Sequence, residues 1–211
     1  MSKKIFAALA LFASCLFAPA VHAAAPAPSI NYSADMETVS KHGETTLSHV
    51  YSKGMKQRIE TNAKGQKSSV IMRLDMKKMW MLMPDQKMYM EMPIQQQDIT
   101  TKMKDPNAKV EKKFIKNESV DGHPCKEYFV TVTNNGKKDG SGYVWEASDL
   151  KNMTVKWQDE DKQTTITWKK IDINGSIADS LFEVPSGYQK MDMSNMGAMG
   201  AGRERHRSHR E

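Results

Sequence analysis

Between Ser69 and Met92 the chain reads SVIMRLDMKKMWMLMPDQKMYMEM, three apolar runs separated by two polar interruptions. The runs Val70–Leu74, Met79–Met83 and Met88–Met92 each alternate with a period of two, the period of a strand with one buried face. With Asp75–Lys78 and Pro84–Lys87 as hairpin loops, loop length sets the pairing. Met83 then faces Met88, Met81 faces Met90 and Met79 faces Met92, while Leu74 stands opposite Met79, Met72 opposite Met81 and Val70 opposite Met83. One face becomes a grid of nine apolar side chains: Val70, Met72, Leu74, Met79, Met81, Met83, Met88, Met90 and Met92. The reverse face carries Ile71, Leu82 and Tyr89 in one row and Arg73, Trp80 and Glu91 in the next, a mixed surface expected to be partly wet.

Strands favour β-branched and aromatic residues, so this density of methionine calls for a reason. Three readings compete. Methionine is an unbranched gap-filler, and the grid is then an ordinary filled core, which makes the protein a structural module. The same flexibility suits a deformable surface for an apolar ligand of loose shape, such as an acyl chain. Thioethers also suit Cu(I), which makes the grid a soft-metal site.

The first 23 residues have the layout of a secretory signal. Lys3 and Lys4 precede the apolar stretch Ile5–Leu16, and Val21-His22-Ala23 supplies small residues before a cut at Ala24. The stretch is short for a membrane span. A periplasmic protein is expected, with residues 24–30 as an Ala/Pro linker, 31–190 as the domain and 191–211 as a disordered tail. An alternative cut places an acylated Cys15 at the start of a lipoprotein. Removing 23 of 211 residues leaves 188, enough for one domain with a single core. Cys125 is then the sole cysteine, so no internal disulfide forms, and a buried apolar role is expected for it.

The formal charge of +6 overstates basic character. Lys3 and Lys4 supply +2, and Arg203–Glu211, with four arginines and two glutamates, supplies another +2, leaving +2 for the body. No basic and aromatic pattern of a nucleic-acid module is present, and a monomer without a nucleic-acid partner is expected.

Along the chain, turn signals recur about every ten residues, as in an all-β sandwich or barrel rather than an α/β fold. Strands are expected over 31–40, 44–51, 55–60, the three methionine runs, 110–120, 123–133, 141–147, 153–159 and 163–173. Ile94–Lys104 lacks strand periodicity and reads as a short helix or irregular flap, with Ile94, Ile99 and Met103 as its apolar positions, and is the expected cover for one face. Ile177–Leu181 reads as one helical turn.

Asp75, Lys77, Trp80 and Pro84 between two apolar strands, with the ending Phe182-Glu183-Val184-Pro185-Ser186-Gly187-Tyr188, resemble the LolA/LolB-like superfamily of lipoprotein carriers and receptors. Gly122-His123-Pro124-Cys125 and Gly142-Tyr143-Val144-Trp145 are similar to a Met-rich exported branch of unknown function within it. The resemblance implies an incomplete antiparallel barrel whose concave face is apolar and covered by one or two short helices, with lipid or lipoprotein acyl chains as partners. The methionine grid would be part of that lining. Where the carriers begin with a helix, this chain runs from its linker straight into the first strand.

Catalysis finds no motif. Of six histidines, His22 is in the leader and His206 and His209 are in the tail, leaving His42, His49 and His123. No serine sits in a nucleophile elbow and no His/Glu spacing suits zinc, so the protein is read as a binder, not an enzyme, with no cofactor. The copper alternative gains from the tail, where Met191, Met193, Met196 and Met199 are followed by His206 and His209. Tail arginines Arg203, Arg205, Arg207 and Arg210 would suit an anionic membrane surface. N-terminal sequencing of the exported protein is expected to start at Ala24, and a membrane-bound species beginning at Cys15 would replace that reading.

Overall fold

A computed structural model describes residues 30–63, 65–94 and 108–191. They form one 12-stranded sheet built from two meanders. The first runs β1 (Tyr32–Val39), β2 (Thr45–Lys53), β3 (Lys56–Ala63), β4 (Gln66–Arg73), β5 (Lys78–Met83) and β6 (Met88–Pro93). The second runs β7 (Ala108–Val120), β8 (His123–Asn134), β9 (Lys137–Ala147), β10 (Met153–Asp159) and β11 (Thr165–Asp172). They join where β1 pairs antiparallel with β11. A two-residue β12 (Gln189–Lys190) lies parallel to β6 at one edge, β7 forms the other, and the sheet does not close. The architecture is therefore an antiparallel half-barrel.

Local chemistry makes the hairpins. Asp121-Gly122 and Asn135-Gly136 take positive φ at both positions, the geometry that two-residue turns require to match strand twist. Bulges bend the sheet: β1 shifts register against β11 between Ser33 and Asp35, and β7 shifts against β8 between Phe114 and Lys116.

The core lies on both faces. Around the second meander Trp157, Val155, Val130, Val144, Trp145 and Trp168 are buried together with Ala34 of β1. Lys156 covers the Trp145 ring at 4.2 Å, and the Trp145 indole donates to Glu118. On the first meander, Ile71, Trp80 and Leu82 pack against Ile177 and Phe182 from the closing segment. That corrects the expectation of a partly wet reverse face: Ile71, Leu82 and Phe182 are 0% exposed.

Four basic side chains hold the closing segment by its backbone and its acids. Lys53 Nζ donates to Ile177 O at 3.0 Å and Arg58 Nη1 to Leu181 O at 2.9 Å. Lys56 Nζ meets Asp179 at 2.8 Å. Arg73, itself buried, donates to Phe182 O at 3.3 Å, to Glu183, and to Asp75 at 2.8 Å. The Arg73 guanidinium thus has acceptors on both of its terminal nitrogens, as a buried charge requires.

Among the described residues there is no α-helix, only short 3-10 turns at Pro84–Gln86, Ser148–Leu150 and Asp179–Phe182. The helical turn expected at Ile177–Leu181 is this last one, and it covers the face opposite the methionines because Phe182 finds its apolar partners there. The expected flap at Ile94–Lys104 lies, apart from Ile94, outside the described residues. Phe182→Ala is expected to lower the unfolding free energy by ~3–5 kcal/mol through cavity formation. Arg73→Ala is expected to cost ~2–4 kcal/mol by leaving the buried Phe182 carbonyl without its donor and removing the cation shared by Asp75 and Glu183. Urea unfolding measures both, and a change within ~0.5 kcal/mol for either would show that the closing segment does not anchor the fold.

Candidate functional site

The methionine face is built by three consecutive hairpin strands. β5 and β6 pair as the sequence implies, Met81 opposite Met90, Met79 opposite Met92 and Met83 opposite Met88. The preceding hairpin differs. Met72 stands opposite Met79 and Val70 opposite Met81, because the ladder closes at Arg73–Lys78 and the loop is Leu74–Lys77. Two successive turn bonds, Met76 N to Arg73 O and Lys77 N to Leu74 O, with Lys77 at φ 54°, start that loop one residue early. Leu74 therefore leaves the grid, and its N–H donates to Met55 O at 3.0 Å. The slip moves each pairing by two residues in all, so side chains keep their faces even though their partners change. On the reverse face it sets Ile71, Trp80 and Glu91 in one row and Ser69, Leu82 and Tyr89 in the next.

Exposure is graded across the methionine face. The central row Val70, Met81 and Met90 is buried at 3%, 8% and 4%. Both flanking rows, Met72–Met79–Met92 and Met83–Met88, are half-buried. Register extends the central row through Ile59 and Val50 to Ala34. It also places Trp168 opposite Met36 and Ile166 opposite Trp157, so the methionine grid shares one continuous side of the sheet with Trp157 and Trp168. Between them sits Tyr32, whose hydroxyl burial pushes up to about 12, against the opposing pull of hydrogen bonds with Gln57 and Trp168.

The opposite face holds a groove of about 740 Å³. Its floor is polar: Asp35 meets His49 Nδ1 at 2.8 Å and Lys170 at 3.0 Å, Glu37 meets Lys169 at 2.9 Å, and Arg58 meets Glu60 at 2.7 Å. The His49 and Lys170 contacts hold the Asp35 carboxyl below its usual range. No candidate from the sequence lies there. The alternation of Leu47, His49 and Tyr51 marks its β2 wall, but Lys169 and Lys170 arrive through the β1–β11 pairing, which no local signal announces.

Of the metal ligands proposed in the tail, only Met191 is among the described residues; its N–H donates to Tyr89 O at 2.8 Å. Met193, Met196, Met199, His206 and His209 lie outside the described residues. Among the described residues no three His, Cys, Asp or Glu side chains gather to hold a metal, and no helix is long and apolar enough to cross a membrane. Cys125 is buried, its thiol donates to His123 O at 3.3 Å, and burial raises its pKa.

An open antiparallel half-barrel with one methionine-rich side defines the class of protein. The family profile described as a domain of unknown function, DUF4412, matches residues 33–165, and the chain belongs to that family. No curated protein matches it. Among solved structures it is similar to an uncharacterized conserved protein from Thermus thermophilus, with TM-score 0.53 and 11% identity over 78% of this chain and 91% of that one. It is also similar to PNGF-II, TM-score 0.47 and 11% identity, over 81% of this chain but only 32% of that one. A LolA superfamily protein from Nitrosomonas europaea matches with TM-score 0.36 and 12% identity over 74% and 91% of the two chains. At these identities the likeness concerns fold alone.

One titration follows from the reverse face of the methionine strands. Glu91 accepts from Trp80 Nε1 at 2.9 Å and from Lys190 at 3.0 Å, contacts that pull its pKa down to about 2. A carboxylate with a depressed folded pKa contributes stability above its unfolded pKa and loses it as pH falls through the folded one. The stability gap between wild type and Glu91→Gln is therefore expected to be open above about pH 5 and to close toward about pH 2. Urea titrations across that range would test it, and a gap that stays constant would deny Glu91 that role.

Proposed function

We propose that this protein is an exported binder that takes an acyl chain or a similar apolar ligand on the methionine side of its half-barrel. The reading rests on one observation: register sets Met79, Met81, Met83, Met88, Met90 and Met92 beside Val70 and Met72 on one side of an open sheet. Unbranched thioether side chains repack around chains of differing length and kink more easily than β-branched ones do. The buried central row gives the chain a dry floor, and the half-buried flanking rows supply side chains with room to move. Tyr32 and Gln57 lie at the end of the Met72–Met79–Met92 row, where a ligand's carbonyl or hydroxyl would find polar company. The function is binding rather than turnover.

Native mass spectrometry of protein purified from its own periplasm is expected to show a bound lipid mass that denaturation releases. Met81→Asp is expected to abolish loading, but Met81 is buried and that change also weakens the fold. The half-buried pair Met79→Gln and Met83→Gln provides the gentler test, with an expected loss of at least about tenfold in loading at unchanged secondary structure. Full loading in that double variant would sink the proposal. Copper binding by the tail is the competing proposal: it expects truncation after Lys190 to remove Cu(I) affinity and leave lipid content unchanged.

A further inference from the structure

The described chain ends at the edge of the methionine strands. After the closing segment it turns at Pro185–Tyr188, where Tyr188 N donates to Pro185 O and Gly187 takes φ 81°, and enters β12 beside β6. β12 is parallel to β6, with Gln189 opposite Met88 and Lys190 opposite Tyr89. Lys190 reaches Glu91 at 3.0 Å on the reverse face, so strand alternation turns Gln189 and Met191 to the methionine side. Two ladder bonds are in place, Gln189 N to Lys87 O and Met191 N to Tyr89 O, each at 2.8 Å. The second already lies one residue past the end of β12.

β6 runs on to Pro93, and among the described residues no strand pairs with it beyond Tyr89 on that side. An uncovered edge of this kind invites a further strand. Lys87 and Tyr89 turn their carbonyls to β12, so two residues on the next acceptor is Glu91 O, and the matching donor is Met193 N. Pro93 has no N–H, which ends the ladder there. The sequence after Lys190 fits this length and this phase. In the register of β12, Met191 stands opposite Met90, Asp192 opposite Glu91 and Met193 opposite Met92. Methionine thus adjoins methionine, and Asp192 arrives where Lys78 and Lys190 converge on one carboxylate, that of Glu91. Ser194-Asn195 then supplies turn residues where the ladder ends. Residues 192–211 lie outside the described residues.

We propose that residues 191–193 continue β12 along β6 and complete the methionine side as its outer strand, Met191 prolonging the row Val70–Met81–Met90 and Met193 the row Met72–Met79–Met92. The part these two methionines play in ligand binding rests on the function proposed above; the continuation of the strand does not. The first test is hydrogen exchange of the full mature chain, with a copper chelator present, read by NMR at the Met193 amide. That amide is expected to exchange at least about tenfold more slowly than in a free peptide of residues 189–211. Equal exchange in chain and peptide overturns the continuation. Protection that disappears on dilution also overturns it and gives the β6 edge to a second copy. Protection that appears only when Cu(I) replaces the chelator overturns it in favour of the metal. Palmitate is the probe for the second half. Truncation after Met191, and Met193→Gln in the full chain, are each expected to weaken palmitate binding at least about threefold at unchanged circular dichroism. Equal affinity in all three chains removes the tail from the site. If no chain binds palmitate while the Met193 amide is protected, the continuation stands and the acyl reading falls.

Discussion

The pairing of β1 with β11 is the constraint on which the rest depends. Six cross-strand partners, Ser33–Asp172 through Val39–Thr165, join two meanders that are each local in sequence. Without that seam the methionine strands and the tryptophan strands would be separate ribbons, each with an apolar side facing water. With it, Met36 meets Trp168 and the two apolar sides merge. The seam joins strands more than a hundred residues apart, so its loop-closure cost is recovered only when both sides are covered.

Both faces of the first meander carry apolar rows, and they are satisfied differently. On one, Phe182 and Ile177 from the closing segment seal Ile71, Trp80 and Leu82, and basic side chains on β2, β3 and β4 hold that segment by its carbonyls and acids. Long cationic side chains suit this task, because their stems lie along apolar surface while their heads reach backbone oxygens. On the other face the side chains are methionines, which retain rotamer freedom that valine or isoleucine would have surrendered. A sealed face of rigid residues and a graded face of flexible ones divide the labour of stability and adaptability within a single sheet.

Much of this was legible in the sequence because hairpins are local. Period-two alternation marked the strands from Tyr32 to Asp172, and Asp121-Gly122 and Asn135-Gly136 marked turns whose φ values only such residues reach easily. The pairing of Met81 with Met90 followed from loop length alone. The neighbouring hairpin went astray by one residue at each side, since Leu74 is apolar enough to extend a strand but is spent in a turn. The reverse face was misjudged for a different reason. Arg73 and Glu91 look like solvent residues until Glu183, Phe182 and Trp80 supply their partners, and two of those three lie more than a hundred positions away from Arg73.

Sequence alone determined that these residues would be strands, which side chains share a side, and that one side would be methionine, because alternation and turn chemistry act over a few residues. Only the tertiary structure decided that the two meanders share one sheet, that the closing segment seals the side away from the methionines, and that β12 brings Met191 to the edge of β6. Those outcomes turn on contacts between distant segments, where complementary shape and buried charge select the partner and no local pattern records it.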